Sequence, residues 1–199
     1  MTTLTPSAER IVDLFLSVDI ADVNAGIAWY SDAYAISRGL AERFCISVAQ
    51  AAGVIAAFSP MNEWDKNVRD AERFLATGVR VHTDSNMRKA ARILAGEGIA
   101  EVLNAPKTTN FWESILSEGE RGICIDRHAY DIATGVRHTD KGRSIGVTAY
   151  RACADAYRDA ALMLAEHGAV VTPAEVQSVT WEAWRKVWKN VRNTAAVAA

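Results

Sequence analysis

The chain has 199 residues, 50% hydrophobic and 23% charged, with a formal net charge of −2 and a pI near 6.1. This balance excludes a disordered, fibrous or strongly basic protein and fits one large domain, residues 1–199, or two small helical lobes sharing a groove. No apolar run reaches the eighteen or more residues that a bilayer span requires, and the opening MTTLTPSAER lacks the basic-then-apolar layout of a signal peptide, so a cytoplasmic protein is expected.

Three widely spaced cysteines, Cys45, Cys124 and Cys153, fit neither a disulfide framework nor a CxxC metal site. Buried reduced thiols are expected, and a four-cysteine iron–sulfur cluster held by one chain is excluded. His82, His128, His138 and His167 have no metal-ligand spacing, and the sequences G-x-x-x-x-G-K-[ST] and G-x-G-x-x-G are absent. No metal and no cofactor is predicted. The slightly acidic total supplies little phosphate neutralisation, although basic residues collect at Arg121–Arg127, Arg137–Arg143 and Arg185–Arg192. Solvated helix faces are the commoner explanation of such runs.

With only four prolines, and apolar residues recurring at helical spacing, the pattern predicts an all-α fold without strands. Pro6 opens a first helix bearing Ile11, Leu14, Phe15 and Val18. Asp22 or Asn24 caps a second through Trp29 and Tyr34, and a third, apolar almost all round, runs from about Arg38 to Phe58 as the buried centre, stopped by Pro60. Trp64, Val68, Ala71 and Leu75 mark a helix ending at Gly78. Asp84 or Ser85 caps the next, through Met87, Ala91 and Leu94 to Gly96. Pro106 opens a helix with Phe111 and Ile115, and ICIDRHAYDIA starts a short one near Asp126. Two longer helices close the chain, one through Val147, Tyr150, Tyr157 and Leu164, the other from Thr172-Pro173 through Val176, Val179, Ala183 and Val187. Its tail after Asn193 is expected to fray. Trp181, Trp184 and Trp188, at helical spacing, read as core or lobe-interface aromatics rather than a base-stacking platform.

The segment VLNAPKTTNFWESILSEGERGICIDRHAYDIATG combines a lysine with an aspartate nineteen residues later. Breaking an N-glycosidic bond requires stabilisation of cationic charge at the sugar and a water or amine nucleophile at C1′, which a carboxylate and a lysine provide. The segment resembles the helix-hairpin-helix DNA glycosylase superfamily. In that family L-P-G-V-G-x-K-[TV]-A opens a helix, and an apolar approach leads to V-D-[TV]-H, whose aspartate caps the next. Leu103, Lys107 and Thr108 match the first motif and Ile125, Asp126 and His128 the second, at the spacing of bifunctional members. The resemblance implies a helix-hairpin-helix glycosylase-like fold of two helical lobes around a groove, DNA as partner, Lys107 as amine nucleophile and Asp126 as the oxocarbenium-stabilising carboxylate. As a bare helix cap Asp126 contributes about 1 kcal/mol, and the two roles are compatible.

Upstream, AAFSPMNEWDKNVRDAERFL resembles the family's L-S-x-Q-T-x-D-x-x-V-x-x-A segment beside the flipped nucleotide, with Pro60 to Asn62 departing from its glutamine. Ser59, Asn62, Trp64 and Asn67 become candidate substrate-binding residues, joined by His128 and Gln177, although a structural histidine is the blander reading of His128. The likeness covers Val54 to Leu75 and Val102 to Gly135. The hairpin is two residues short, and Asn104-Ala105-Pro106 replaces the glycine-rich turn that holds a DNA phosphate, which predicts weak or differently organised duplex binding. A bacteriophage branch of the superfamily, which relaxes that hairpin and acts in thymine hypermodification, is the alternative enzyme. A non-catalytic DNA-binding module on the same core is the alternative without chemistry.

Overall fold

A computed structural model describes residues 5–137 and 145–197, with side chains described as far as residue 187. The described residues are all-α and contain no strand. Among the described residues ten helices follow one another: α1 (Ala8–Leu16), α2 (Ile20–Phe44), α3 (Val48–Phe58), α4 (Trp64–Thr77), α5 (Asp84–Leu94), α6 (Ile99–Leu103), α7 (Pro106–Leu116), α8 (Arg127–Thr134), α9 (Val147–Glu166) and α10 (Pro173–Val197). They fall into two compact units, one made of Met1–Trp29 with Ile123–Ala199, the other of Tyr30–Gly122. Among the described residues no single helix is long and apolar enough to cross a membrane.

In the Tyr30–Gly122 unit, α3 is buried from Ala51 to Phe58, as an all-round apolar helix must be. Helices α4, α5, α6 and α7 pack on it. Polar side chains tie these helices together through backbone carbonyls. Gln50 Nε2 donates to the carbonyls of Ile93 and Leu94 at the end of α5, at 3.1 and 3.3 Å. Trp112 Nε1 donates to Ala49 O at 3.1 Å.

The buried centre does not begin at Arg38. One helix runs through Trp29, Tyr34 and Arg38 to Phe44. The backbone then turns left-handed at Cys45, φ 52°, and α3 starts afresh behind Ser47. Ser47 and Gln50 form a reciprocal capping box there, which satisfies two orphan donors and overrides the unbroken apolar pattern. Cys45 is exposed at that turn, so only Cys124 and Cys153 are buried thiols. Other caps also shift. Pro6 lies before α1 rather than in its first turn, Ser7 caps it, and it stops short of Val18; Asp19, not Asp22 or Asn24, accepts from the Asp22 N–H at 3.0 Å; Thr83, not Asp84 or Ser85, caps α5. In each case the oxygen stands where it can accept from the N–H three residues on. The five-residue α6 was not foreseen, and α10 continues through its alanine-rich end to Val197, consistent with alanine's helix propensity. The basic run Arg137–Arg143 lies outside the described residues beyond Arg137, as do His138 and the side chains of Trp188, Lys189 and Arg192.

In the other unit α1 packs on α8, α9 and α10 around Ile11, Phe15, Ile125, Tyr157 and Leu164. The first turns of α2 meet α10 at Gly26. A Cβ there would stand 2.5 Å from Val179 Cγ2 and 2.6 Å from Val179 Cα, and Ser178 Oγ donates to Gly26 O at 2.6 Å. In an open helix Gly→Ala gains about 1 kcal/mol, but overpacking against backbone costs about 1–3 kcal/mol. The clash is with a backbone atom that no rotamer change relieves, so the cost wins. Gly26→Ala is therefore expected to lower the melting temperature by several degrees in a thermal unfolding experiment; an increase would show that α2 and α10 do not approach this closely.

Candidate functional site

Ile123, Cys124 and Ile125 form an extended, buried run that leads into α8 without belonging to a sheet. Backbone groups buried this way need partners, and Tyr150 of α9 supplies them. Its hydroxyl donates to Ile123 O at 2.6 Å and accepts from the Ile125 N–H at 3.1 Å. The next residue, Asp126, is thereby delivered to the N-terminus of α8, where its Oδ1 accepts from the Ala129 N–H at 2.9 Å. Its other oxygen, Oδ2, accepts from the indole Nε1 of Trp181 on α10 at 3.0 Å.

Trp181 is itself held from several sides. Trp29 and His128 meet it edge-on, with ring centroids at 6.5 and 6.3 Å, and the Arg185 guanidinium lies 4.4 Å from its ring centroid. Arg185 also reaches Glu182 at 3.6 Å. The field around the carboxylate is legible in its neighbours. Burial, with the Asp126 charge as a second cause, pushes the Cys153 thiol up to about 12, and burial pushes the Tyr157 phenol well above its ordinary value. Cys153 Sγ and Tyr157 Oη both donate to Ala129 O, at 3.8 and 3.3 Å, beneath the first turn of α8. His128 is half-buried with Nδ1 enclosed and without a hydrogen-bond partner; burial lowers its pKa, against the opposing pull of Asp126.

The other unit holds the remaining candidates apart from Gln177. Helix α6 ends in the left-handed Asn104, φ 49°, and Ala105 leads directly to Pro106 at the start of α7. In this two-residue connection asparagine tolerates the left-handed conformation that glycine otherwise supplies. Lys89 Nζ closes it by donating to Leu103 O at 2.8 Å and Asn104 Oδ1 at 3.2 Å, and burial lowers the pKa of that amine. Lys107 is half-buried in the first turn of α7, one turn before Phe111, whose ring Trp64 meets edge-on at 6.3 Å.

Ser59 is the C-cap of α3, its Oγ donating to Ala56 O. Asn62 donates to Asp70 Oδ2 at 3.0 Å, and although burial works against ionisation, the hydrogen bonds from Lys66 and Asn62 hold the Asp70 carboxyl below its ordinary value. Asn67, 2% exposed, ties α4 to α3 through Ile55 O, and its Oδ1 is enclosed without a partner. Gln177, 5% exposed, lies buried on α10. The sequence therefore brought out Asp126 and His128 as neighbours but missed Trp181, Trp29 and Arg185 as the side chains around them. Among the described residues no group of three or more His, Cys, Asp or Glu could hold a metal ion.

A family described as "Family of unknown function (DUF7178)" matches residues 1–188. No curated protein and no solved structure matches the chain.

Two measurements test this geometry. Tyr150→Phe removes the acceptor of a buried backbone N–H, and is expected to cost about 1–3 kcal/mol in denaturant unfolding; an unchanged midpoint would mean that Ile125 finds another partner. The His128 imidazole takes a proton less readily in the fold than in the unfolded chain, where its ordinary value is 6.5. The unfolded state thus binds more protons as pH falls through 6.5, and stability declines from there until the lower folded value is passed. His128→Asn is expected to flatten that part of the stability-versus-pH curve, and equal slopes for the two proteins would contradict it.

Proposed function

We propose that this chain, which belongs to the DUF7178 family, is a DNA base-processing enzyme of the glycosylase type on a helix-hairpin-helix glycosylase-like fold, with Asp126 as its charge-stabilising carboxylate. The observation that carries the reading is the carboxylate itself: an aspartate delivered by a buried extended run to the N-terminus of α8, with one oxygen on Ala129 N–H and the other on the Trp181 indole. The two-residue turn between α6 and α7, with Lys107 in the first turn that follows, supports it at the first of the two motifs. Lys107 takes the part of amine nucleophile on the strength of the sequence resemblance and its nineteen-residue spacing from Asp126.

In excision, the bond between C1′ and the base nitrogen breaks and the base leaves with the electron pair. Cationic charge then develops at C1′ and the ring oxygen, where a fixed carboxylate lowers its energy. Water completes hydrolysis by adding hydroxide to C1′ while its proton goes to the departed base. If the Lys107 amine attacks instead, the sugar opens to an imine that borohydride reduces to a permanent adduct. The target base must leave the stack to be reached, and such enzymes pay that unstacking cost on binding.

The short connection at Asn104-Ala105 favours a second reading, transfer to an activated thymine in DNA, because an enzyme that meets its base at many sites has less need of a phosphate clamp for searching duplex. Mass spectrometry of nucleosides and strands separates the readings. Excision predicts free base with abasic or cleaved DNA, and transfer an intact strand carrying a heavier nucleoside. Asp126→Asn, which keeps the helix cap, is expected to lower either activity about 100-fold or more. Borohydride trapping is expected to yield an adduct with the wild-type chain and none with Lys107→Ala. Unchanged nucleosides across damaged and modified DNA would overturn the enzyme, and DNA binding unaffected by Asp126→Asn would then identify a binding module.

A further inference from the structure

Helix capping explains one of the two hydrogen bonds on Asp126. An N-cap aspartate needs a single oxygen, here Oδ1 on the Ala129 N–H, and its second oxygen ordinarily faces solvent. In this chain the second oxygen is taken by an indole N–H from a helix fifty-five residues away, at 3.0 Å. The indole is held in place by ring contacts from Trp29 and His128 and by the Arg185 guanidinium over its face.

We propose that Trp181 is a positioning residue for Asp126, fixing the rotation of the carboxylate so that its charge is aimed at the reacting sugar rather than averaged over a free rotor. The inference rests on the base-processing reading. Two donors on two oxygens define the plane of the carboxylate, whereas the cap alone leaves it free to turn about its Cβ–Cγ bond, which is a soft torsion. The chemistry of the donor matters as much as its position. A lysine or arginine in the place of Nε1 would orient the carboxylate equally well, but its cationic charge would offset the negative charge that the developing oxocarbenium ion needs. An indole donates a hydrogen bond, has no acceptor nitrogen and bears no net charge. Trp181 thus orients the carboxylate and leaves its charge intact. Backbone Ala129 N–H, the other donor, is neutral in the same way.

The test combines a spectroscopic and a kinetic measurement on the full chain. The Trp181 indole N–H resonance in a proton–nitrogen correlation spectrum is expected to move upfield in Asp126→Asn, in which the amide still caps α8 but is a poorer acceptor. Trp181→Phe, which keeps an aromatic ring and removes the donor, is expected to lower kcat by up to about 100-fold with KM within about two-fold, the result of misaligning a group that acts in the transition state. The double variant Asp126→Asn/Trp181→Phe is expected to be no slower than Asp126→Asn alone, because Trp181 acts through the carboxylate. An indole resonance that stays in place, an unchanged kcat in Trp181→Phe, or losses that multiply in the double variant would each overturn the proposal while leaving base processing standing. If wild-type protein processes no base, the functional reading falls and the proposal falls with it, even where the resonance moves. Melting curves of both single variants identify any loss of activity that comes from unfolding.

Discussion

The candidate site depends on a stretch of chain with no secondary structure of its own. Ile123 to Ile125 are buried, extended and outside any sheet, so their peptide groups cannot use the ladders that normally satisfy buried backbone. The Tyr150 hydroxyl serves both an N–H and a carbonyl from the same oxygen, which few side chains can do. With that bond in place the chain enters α8 at a defined angle, and Asp126 reaches Ala129 and Trp181 together. A polar group on the next helix thus governs where a carboxylate stands, although it touches neither oxygen.

Much of this was legible because the relevant signals are local. Gly78 after α4, Pro106 at the start of α7, Asp126 before α8 and Thr172-Pro173 before α10 are caps and breakers that act within one helical turn, and each marks its helix end. The division between α2 and α3 was not legible in hydrophobic periodicity, since apolar residues continue across it. Its cause is the left-handed Cys45 followed by the Ser47–Gln50 box, a conformational signal in a segment whose composition says core. Helix α6 is too short to display a period.

The site divided along the same line. Asp126 and His128 share one motif, and their proximity follows from two residues of chain. Trp181 was visible as one of three tryptophans at helical spacing, a pattern that predicts a buried face; its actual place at Asp126 Oδ2 depends on how α10 packs against α8. No property of residues 172–188 alone encodes that pairing. Asn67 illustrates the converse. An amide beside a supposed nucleotide pocket reads as a substrate contact, but here its Nδ2 is used to tie α4 to α3.

The two units are not equally simple in chain order. Tyr30–Gly122 is one continuous piece, whereas the unit holding Asp126 is assembled from a segment before it and a longer segment after it. The ribosome therefore joins every residue of the continuous unit before Ile123 is added. Helix α1, with Ile11 and Phe15 on its apolar face, must wait through that interval for α9 and α10, the helices that bury it. Domains generally fold as units during synthesis, and contacts between distant segments form late. Asp126 is made fifty-five residues before the indole that binds it, so its second hydrogen bond must wait until α10 has followed α8 and α9 off the ribosome.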